Sequence, residues 1–258
     1  MPPSTELTSP LAELPDHGYV YRTSWPVATY DMDTSQHLRL DGVARYIQEV
    51  GAENLTDAGM ADVHPHWIVQ RTVIDVIQPI AWPAVISFQR WCSGMSTRWC
   101  TMRVRLDGDD GGRIETEGFW INMNKETQTP SRISDDFFDR FATTTDNHRL
   151  KWRPWLDTHV ESDTVTPFPL RVTDIDHFRH VNNTVYWHAI HEVLASAPEF
   201  ERAPYRAVLE YRQPIQPQEA VELHSAVRDD GLRIWFVVAG EARACALVRP
   251  LAGDAQRG

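Results

Sequence analysis

The chain writes the pattern Asp-x-Asp-x-x-x-His twice, at Asp31, Asp33 and His37 and again at Asp174, Asp176 and His180, each pair 143 positions apart. The match extends without a gap in both directions. Upstream, Thr23, Trp25 and Pro26 stand opposite Thr166, Phe168 and Pro169; downstream, Ile47, Glu49, Val50 and Ala52 stand opposite Ile190, Glu192, Val193 and Ala195. A further block, Gln78, Pro79 and Ile80, recurs as Gln213, Pro214 and Ile215 at a spacing of 135, so the second half has lost residues between its helix and that strand. Self-similarity held over this distance marks a duplicated unit. The chain must fold as two copies of one structure.

Each copy has the same order of elements. Val43, Ile47 and Val50 in the first, and Tyr186, Ile190 and Val193 in the second, fall at i, i+4, i+7, the stripe of a helix with one buried face. The first of these helices is expected over residues 41–58. Strands follow. Cys100, Met102, Val104 and Leu106 alternate with Thr101, Arg103 and Arg105, then DGDDGG offers a turn and RIETEGFWINMN returns. In the second half AVELHSAV, RDDG, LRIWFVVAG and EARACALVRPL spell an antiparallel meander. This predicts an α+β fold: two halves, 19–140 and 163–252, each a sheet wrapped around a central helix. Residues 1–18 read as a flexible tail. Residues 141–162 read as a linker without a clear period, whose tryptophans suggest that part of it packs down.

Composition narrows the function classes. With 42% apolar and 24% charged residues the chain is globular, and a net charge of −11 argues against a nucleic-acid surface. No apolar run approaches the roughly 18 residues needed to span a bilayer, and the N-terminus has neither the basic head nor the apolar core of a signal peptide. A cytoplasmic protein without membrane contact is expected. The three cysteines, Cys92, Cys100 and Cys245, have no CxxC spacing and suggest neither a disulfide framework nor a zinc site. His188 and His191 lie at i, i+3 and His177 adjoins Asp176, but this matches no standard ligand pattern. His64 and His66 read as surface or packing groups in a loop. There is no Gly-rich phosphate loop, no GxSxG elbow and no Cys-His pairing, so no metal or cofactor is implied.

The segments WIVQRTVIDVIQPIAWPAVI, FWINMNKETQTPSRI, DIDHFRHVNN and VLEYRQPI resemble the acyl-acyl-carrier-protein (acyl-ACP) thioesterase family over about residues 19–250, with DxDxxxHVNNxxY, here Asp174 to Tyr186, the most specific part. The resemblance implies a tandem hot-dog fold and hydrolysis of a fatty acyl thioester carried by acyl carrier protein or coenzyme A; monomer and homodimer both stay open. Such chemistry needs a base or nucleophile at the carbonyl carbon and positive potential where the oxyanion develops. Asp176 is the expected base, His180 its orienting or proton-sharing partner, and the helix start at Asn182 and Asn183 the oxyanion site. A plain helix cap with a locally packed histidine is the competing structural account of the same residues.

The chain departs from the family where plant and many bacterial members carry Asn two places after the catalytic Asp, here Phe178, and Glu and often Cys after LEYR, here Pro214 and Ile215. Glu210, four residues off, is given no role. In the first copy LRL replaces VNN, so Asp33 and His37 are expected to be a relic or structural. Val43, Ile47 and Val50 are candidates for an acyl tunnel, with plain core as the alternative. Arg90, Arg98, Arg103, Arg105 and Arg179 are expected in part near the tunnel mouth, where an acidic carrier would dock. Two other functions stay open on the residues alone: a hydratase or dehydratase of acyl thioesters, and a non-catalytic acyl-thioester binding protein.

Overall fold

The computed structural model describes residues 7–251, and its described strands form one ten-stranded antiparallel sheet. They are β1 (Tyr21–Pro26), β2 (Trp67–Gln78), β3 (Val85–Met95), β4 (Trp99–Gly108), β5 (Arg113–Asn122), β6 (Thr164–Phe168), β7 (Tyr205–Tyr211), β8 (Val221–Arg228), β9 (Gly231–Val238) and β10 (Glu241–Pro250). The order β1-β3-β4-β5-β2-β7-β10-β9-β8-β6 is a five-strand half followed by its mirror, joined where β2 pairs β7. Val73 and Val208, equivalent at the spacing of 135, sit directly opposite each other on those strands. The pseudo-two-fold axis of the duplication therefore passes through this pair, and the seam is a continuous run of sheet rather than a surface contact.

Each half-sheet curls around one long helix: α1 (Leu40–Asp57) in the first, and in the second the helix after the HVNN stretch, Asn183–Leu194, numbered α3 because a short α2 (Asp135–Phe141) intervenes. Leu40, Val43, Ala44 and Val50 of α1 and Val185, Tyr186, Ala189, Ile190 and Leu194 of α3 are buried in one core between the helices and the sheet. These are the stripes expected of helices with one apolar face.

The other sheet face is covered too. Leu7 is buried against Val73, Val208 and Leu247, and Arg206 donates to the carbonyls of Leu7 (3.1 Å) and Ser9 (2.9 Å). Residues 7–12 are therefore packed down, not a free tail; they strap the outer face of the sheet, and residues 1–6 lie outside the described residues, as does residue 252. Linker residues Trp155 and Leu156 pack on the same face. Being covered on both sides, β4 and β7 are buried at inward and outward positions alike, Thr101 and Arg103 included, as for strands with no solvent face. Among the described residues no helix is long and apolar enough to cross a membrane.

Candidate active site

The two Asp-x-Asp-x-x-x-His segments fold into the same loop. In each, a single 3-10 turn ends on the first aspartate (Thr29–Asp31, Val172–Asp174) and an isolated bridge closes the loop (Met32 with Leu38, Ile175 with Val181). In each, the residue before the histidine takes positive φ: 64° at Gln36, 65° at Arg179. The second aspartate explains the closure. Its Oδ1 accepts from the amides two and four residues on: Ser35 (2.7 Å) and His37 (2.9 Å) for Asp33, Phe178 (2.9 Å) and His180 (3.2 Å) for Asp176. A short carboxylate thus satisfies donors that so tight a turn takes out of any ladder. The first aspartates are buried anchors, Asp31 paired with Arg45 and Asp174 with Arg171 (3.0 Å).

The two loops differ in what lies beneath them. A cavity of about 720 Å³ opens at the second, walled by Asp176, His180, Asn182 and Asn183, by the end of β7, and by the loop and first residues of β2. It continues under α1 across the inward faces of β5, β4 and β3. Asp33 and His37 are not on its walls. The duplication explains the asymmetry, because Gly51 and Ala52 of α1 line the cavity while the equivalent of Gly51 is Leu194, fully buried in the core.

At the mouth, Asp176 has Oδ1 committed to its loop and Oδ2 without a partner among the described residues. Asn182 caps α3, its Oδ1 accepting from the Thr184 amide (2.9 Å) and hydroxyl (2.8 Å), while its own N–H donates to Asp174 O (2.8 Å). The Asn183 N–H is left as the first-turn amide without a partner among the described residues, at the positive end of the helix. His180 is half-buried on the cavity wall, and no hydrogen bond joins its imidazole to Asp176 among the described residues. Tyr211 donates to Asn183 O (3.3 Å) and packs edge-to-face on Tyr186; burial pushes both phenols up, so they stay protonated.

Several expectations are corrected. Val43 and Val50 are wholly buried and Ile47 packs beside them; the α1 residues on the cavity are Gln48, Gly51, Ala52 and Leu55, an i, i+3, i+4, i+7 stripe turned away from the core. The hydrophobic period finds the core face, and Gly and Ala do not announce a cavity. Of the two readings of His64 and His66, surface or packing groups, the structure has packing: both are buried. His64 bonds Ser134 Oγ (3.0 Å), and His66 lines the cavity, its ring 4.8 Å from Phe178, with burial lowering its pKa. Phe178, standing where the family has Asn, packs at the mouth edge-to-face with His66 and tilted against His177. Of the arginines, Arg103 and Arg105 bind Glu115 and Arg90 lies inside the cavity; Arg98 and Arg179 are exposed. His188 and His191 meet Asp41 and Glu201. The three cysteines are buried and free, and burial pushes the Cys92 and Cys245 thiols up to about 12 and Cys100 well above its usual value, so none supplies a thiolate.

Glu210 does have a role. It is fully buried and accepts from Arg71 (3.1 Å), Arg212 (2.6 Å) and the amides of Trp155 (2.9 Å) and Leu156 (3.2 Å), pinning the linker to the seam.

Two helix-wrapping half-sheets sharing one seam, with a largely apolar cavity entered past a carboxylate and a helix N-terminus, define a tandem hot-dog thioester hydrolase. The chain belongs to the acyl-ACP thioesterase family: residues 18–141 match its N-terminal domain and residues 157–246 its C-terminal domain. It is 62% identical over 241 residues to an uncharacterized protein of Mycobacterium tuberculosis, covering 93% of this chain and 96% of that one. It is 26% identical over 242 residues to the chloroplastic oleoyl-acyl carrier protein thioesterase 1 of Arabidopsis thaliana, over 82% of this chain and 65% of that one. The fold superposes on an acyl-ACP thioesterase from Bacteroides thetaiotaomicron with a TM-score of 0.73 at 14% identity, covering 89% and 97% of the two chains. The activity is hydrolysis of the thioester of fatty acyl-ACP.

Proposed function

We propose that Asp176 is the general base of this hydrolysis and that the start of α3 holds the oxyanion. Asp176 Oδ2 takes a proton from a water at the cavity mouth, and the hydroxide attacks the thioester carbonyl carbon. The carbonyl oxygen, gaining charge, is met by the Asn183 N–H and the carboxamides of Asn182 and Asn183. Collapse of the tetrahedral adduct breaks the C–S bond, the proton held by Asp176 passes to the leaving sulfur, and His180 orients the water or shares that proton. The acyl chain lies in the cavity beneath α1. The observation that carries this reading is that one carboxylate oxygen is fixed by two loop amides while, among the described residues, the other is unpartnered at the mouth of a cavity that Asn183, its amide likewise unpartnered, also lines. Asp33 and His37, away from the cavity, take no part. The protein works in the cytoplasm with its cysteines reduced, and as a monomer, since the seam that two separate hot-dog subunits would share is already filled within the chain.

Asp176→Asn keeps an oxygen to close the loop and removes the basicity, so it should lower kcat by on the order of a hundredfold or more on acyl-ACP. Asp33→Asn should leave turnover near the parent's, and His180→Ala should fall between the two or match Asp176→Asn. Turnover abolished by Asp33→Asn but retained in Asp176→Asn would reverse the assignment.

A further inference from the structure

The inward side chains of β3 run Ile86, Phe88, Arg90, Cys92, a row that is apolar except at Arg90. Arg90 is 8% exposed and lines the cavity. The other buried arginines each hold a carboxylate: Arg71 with Glu210, Arg103 with Glu115, Arg206 with Asp75. Arg90 has none among the described residues. Its hydrogen bond is to Asn54 Oδ1, and Asn54 in turn donates to the Tyr19 hydroxyl (2.8 Å). Burial accordingly pulls the guanidinium below its ordinary value. A buried cation without a counter-charge is costly and persists where something else supplies the acceptor.

The fold itself does not require an arginine here. Thr23 pairs Phe88 across β1 and β3, and its equivalent Thr166 pairs Leu223 across β6 and β8, which makes Ser225 the equivalent of Arg90. The second half therefore has Ser225 and Leu194 where the first has Arg90 and Gly51. In the first half the missing side chain of Gly51 leaves open space beside the guanidinium: a Cβ there would stand 3.9 Å from Nε and Nη2. From β7 at the mouth to β3 is four strand spacings, about 19 Å along the sheet at ~4.8 Å each. Arg90 thus lines the cavity on β3, the lining strand farthest along the sheet from the β7 wall of the mouth.

We propose that Arg90 recognises an oxygen acceptor at the far end of the acyl chain, a terminal carboxylate above all, so that the preferred substrate is an acyl thioester with an oxygenated rather than a plain alkyl end. The proposal rests on the reading that the acyl chain occupies this cavity. A carboxylate meets the guanidinium in a charge-assisted pair, whereas a methyl end excludes water from the cation and gives it nothing.

The test uses the full chain and acyl-ACP substrates of matched length ending in methyl, hydroxyl or carboxylate. The carboxylate-ended substrate should exceed the methyl-ended one in kcat/KM by on the order of tenfold or more, the worth of a hydrogen bond to a charged group, with the hydroxyl between them. Arg90→Met should remove or invert that ratio, and Arg90→Lys should keep part of it. Calorimetric titration with amide analogues, which bind and are not cleaved, should show the same order of affinity without any turnover. A parent chain that prefers the methyl-ended substrate, or binds both analogues equally, overturns the proposal even if Arg90→Met fails to fold. Tighter binding of the carboxylated analogue with no hydrolysis of any substrate would uphold the recognition by Arg90 and refute the proposed catalytic reading.

Discussion

At the scale of single residues, function turns on what two equivalent positions became. Asp33 and Asp176 make the same loop-closing bonds, so the aspartate that shapes the loop is common to both copies and the cavity beneath is not. Gly51 is one reason that it exists. Replacing it by Leu, as at Leu194, should gain about 0.8–1 kcal/mol of helix propensity while putting a side chain into the cavity proposed to hold the acyl chain. Gly51→Leu should therefore unfold no earlier than the parent yet lose on the order of tenfold or more in kcat/KM on long acyl chains, and less on short ones. Chain-length profiles beside thermal unfolding check this; unchanged activity on long chains would remove the cavity from the substrate path.

At the scale of elements, the two helices are held together by a polar clasp that their apolar stripes do not reveal. Asp41, in the first turn of α1, is fully buried and meets Arg39 (2.8 Å) and Arg45 (3.1 Å) of its own segment and His188 of α3 (3.1 Å). Burial opposes its ionisation, but hydrogen bonds from His188 and Arg39 outweigh that and hold the carboxyl well below the usual range. A carboxyl depressed in the fold contributes stability that is present above its unfolded pKa, near 3.9, and is lost as pH falls through the folded value. Asp41→Asn should thus cost about 3 kcal/mol between pH 5 and 8, with the gap to the parent narrowing below about pH 4. Denaturant titrations across that range measure it, and a gap independent of pH would refute it. His188, set aside in the sequence as an unpatterned histidine, has this partner because α3 lies across α1, a fact no spacing encodes. The fold was legible because a two-residue period, a helical stripe and a duplicated spacing are properties of the chain itself. That Asp176, His180, Asn182 and Asn183 would stand together, as they do on one cavity wall, was legible because one segment carries them all. His66, Gly51 and Arg90 come from a loop, a helix and a strand that only the curled sheet brings to that segment.

At the scale of the whole molecule, the seam records how the chain arose. Arg71 on β2 pairs Glu210 on β7, and Asp75 on β2 pairs Arg206 on β7. At the spacing of 135, Arg71 is the equivalent of Arg206 and Asp75 of Glu210, so these are one contact made twice, as a two-fold interface between identical subunits requires. The repeat is visible in the sequence once the spacing is known, yet Glu210 looks roleless there because its partner is on a distant strand. Fusion then let the two contacts diverge. Arg206 took on the carbonyls of Leu7 and Ser9, and Glu210 took on the linker amides of Trp155 and Leu156, with the Arg71 guanidinium stacked on the Trp155 ring at 3.5 Å. Glu210 now anchors three segments through one fully buried carboxylate. Glu210→Gln should therefore lower the unfolding free energy by about 3–5 kcal/mol, because the lost charge leaves Arg71 and Arg212 facing a neutral amide whose N–H₂ opposes their donors. Asp75→Asn, whose carboxylate answers a single arginine, should cost less. Urea unfolding of the two variants against the parent gives both numbers, and a Glu210→Gln loss below about 1 kcal/mol, within the range of an exposed ion pair, would show that the linker and seam are held by packing alone.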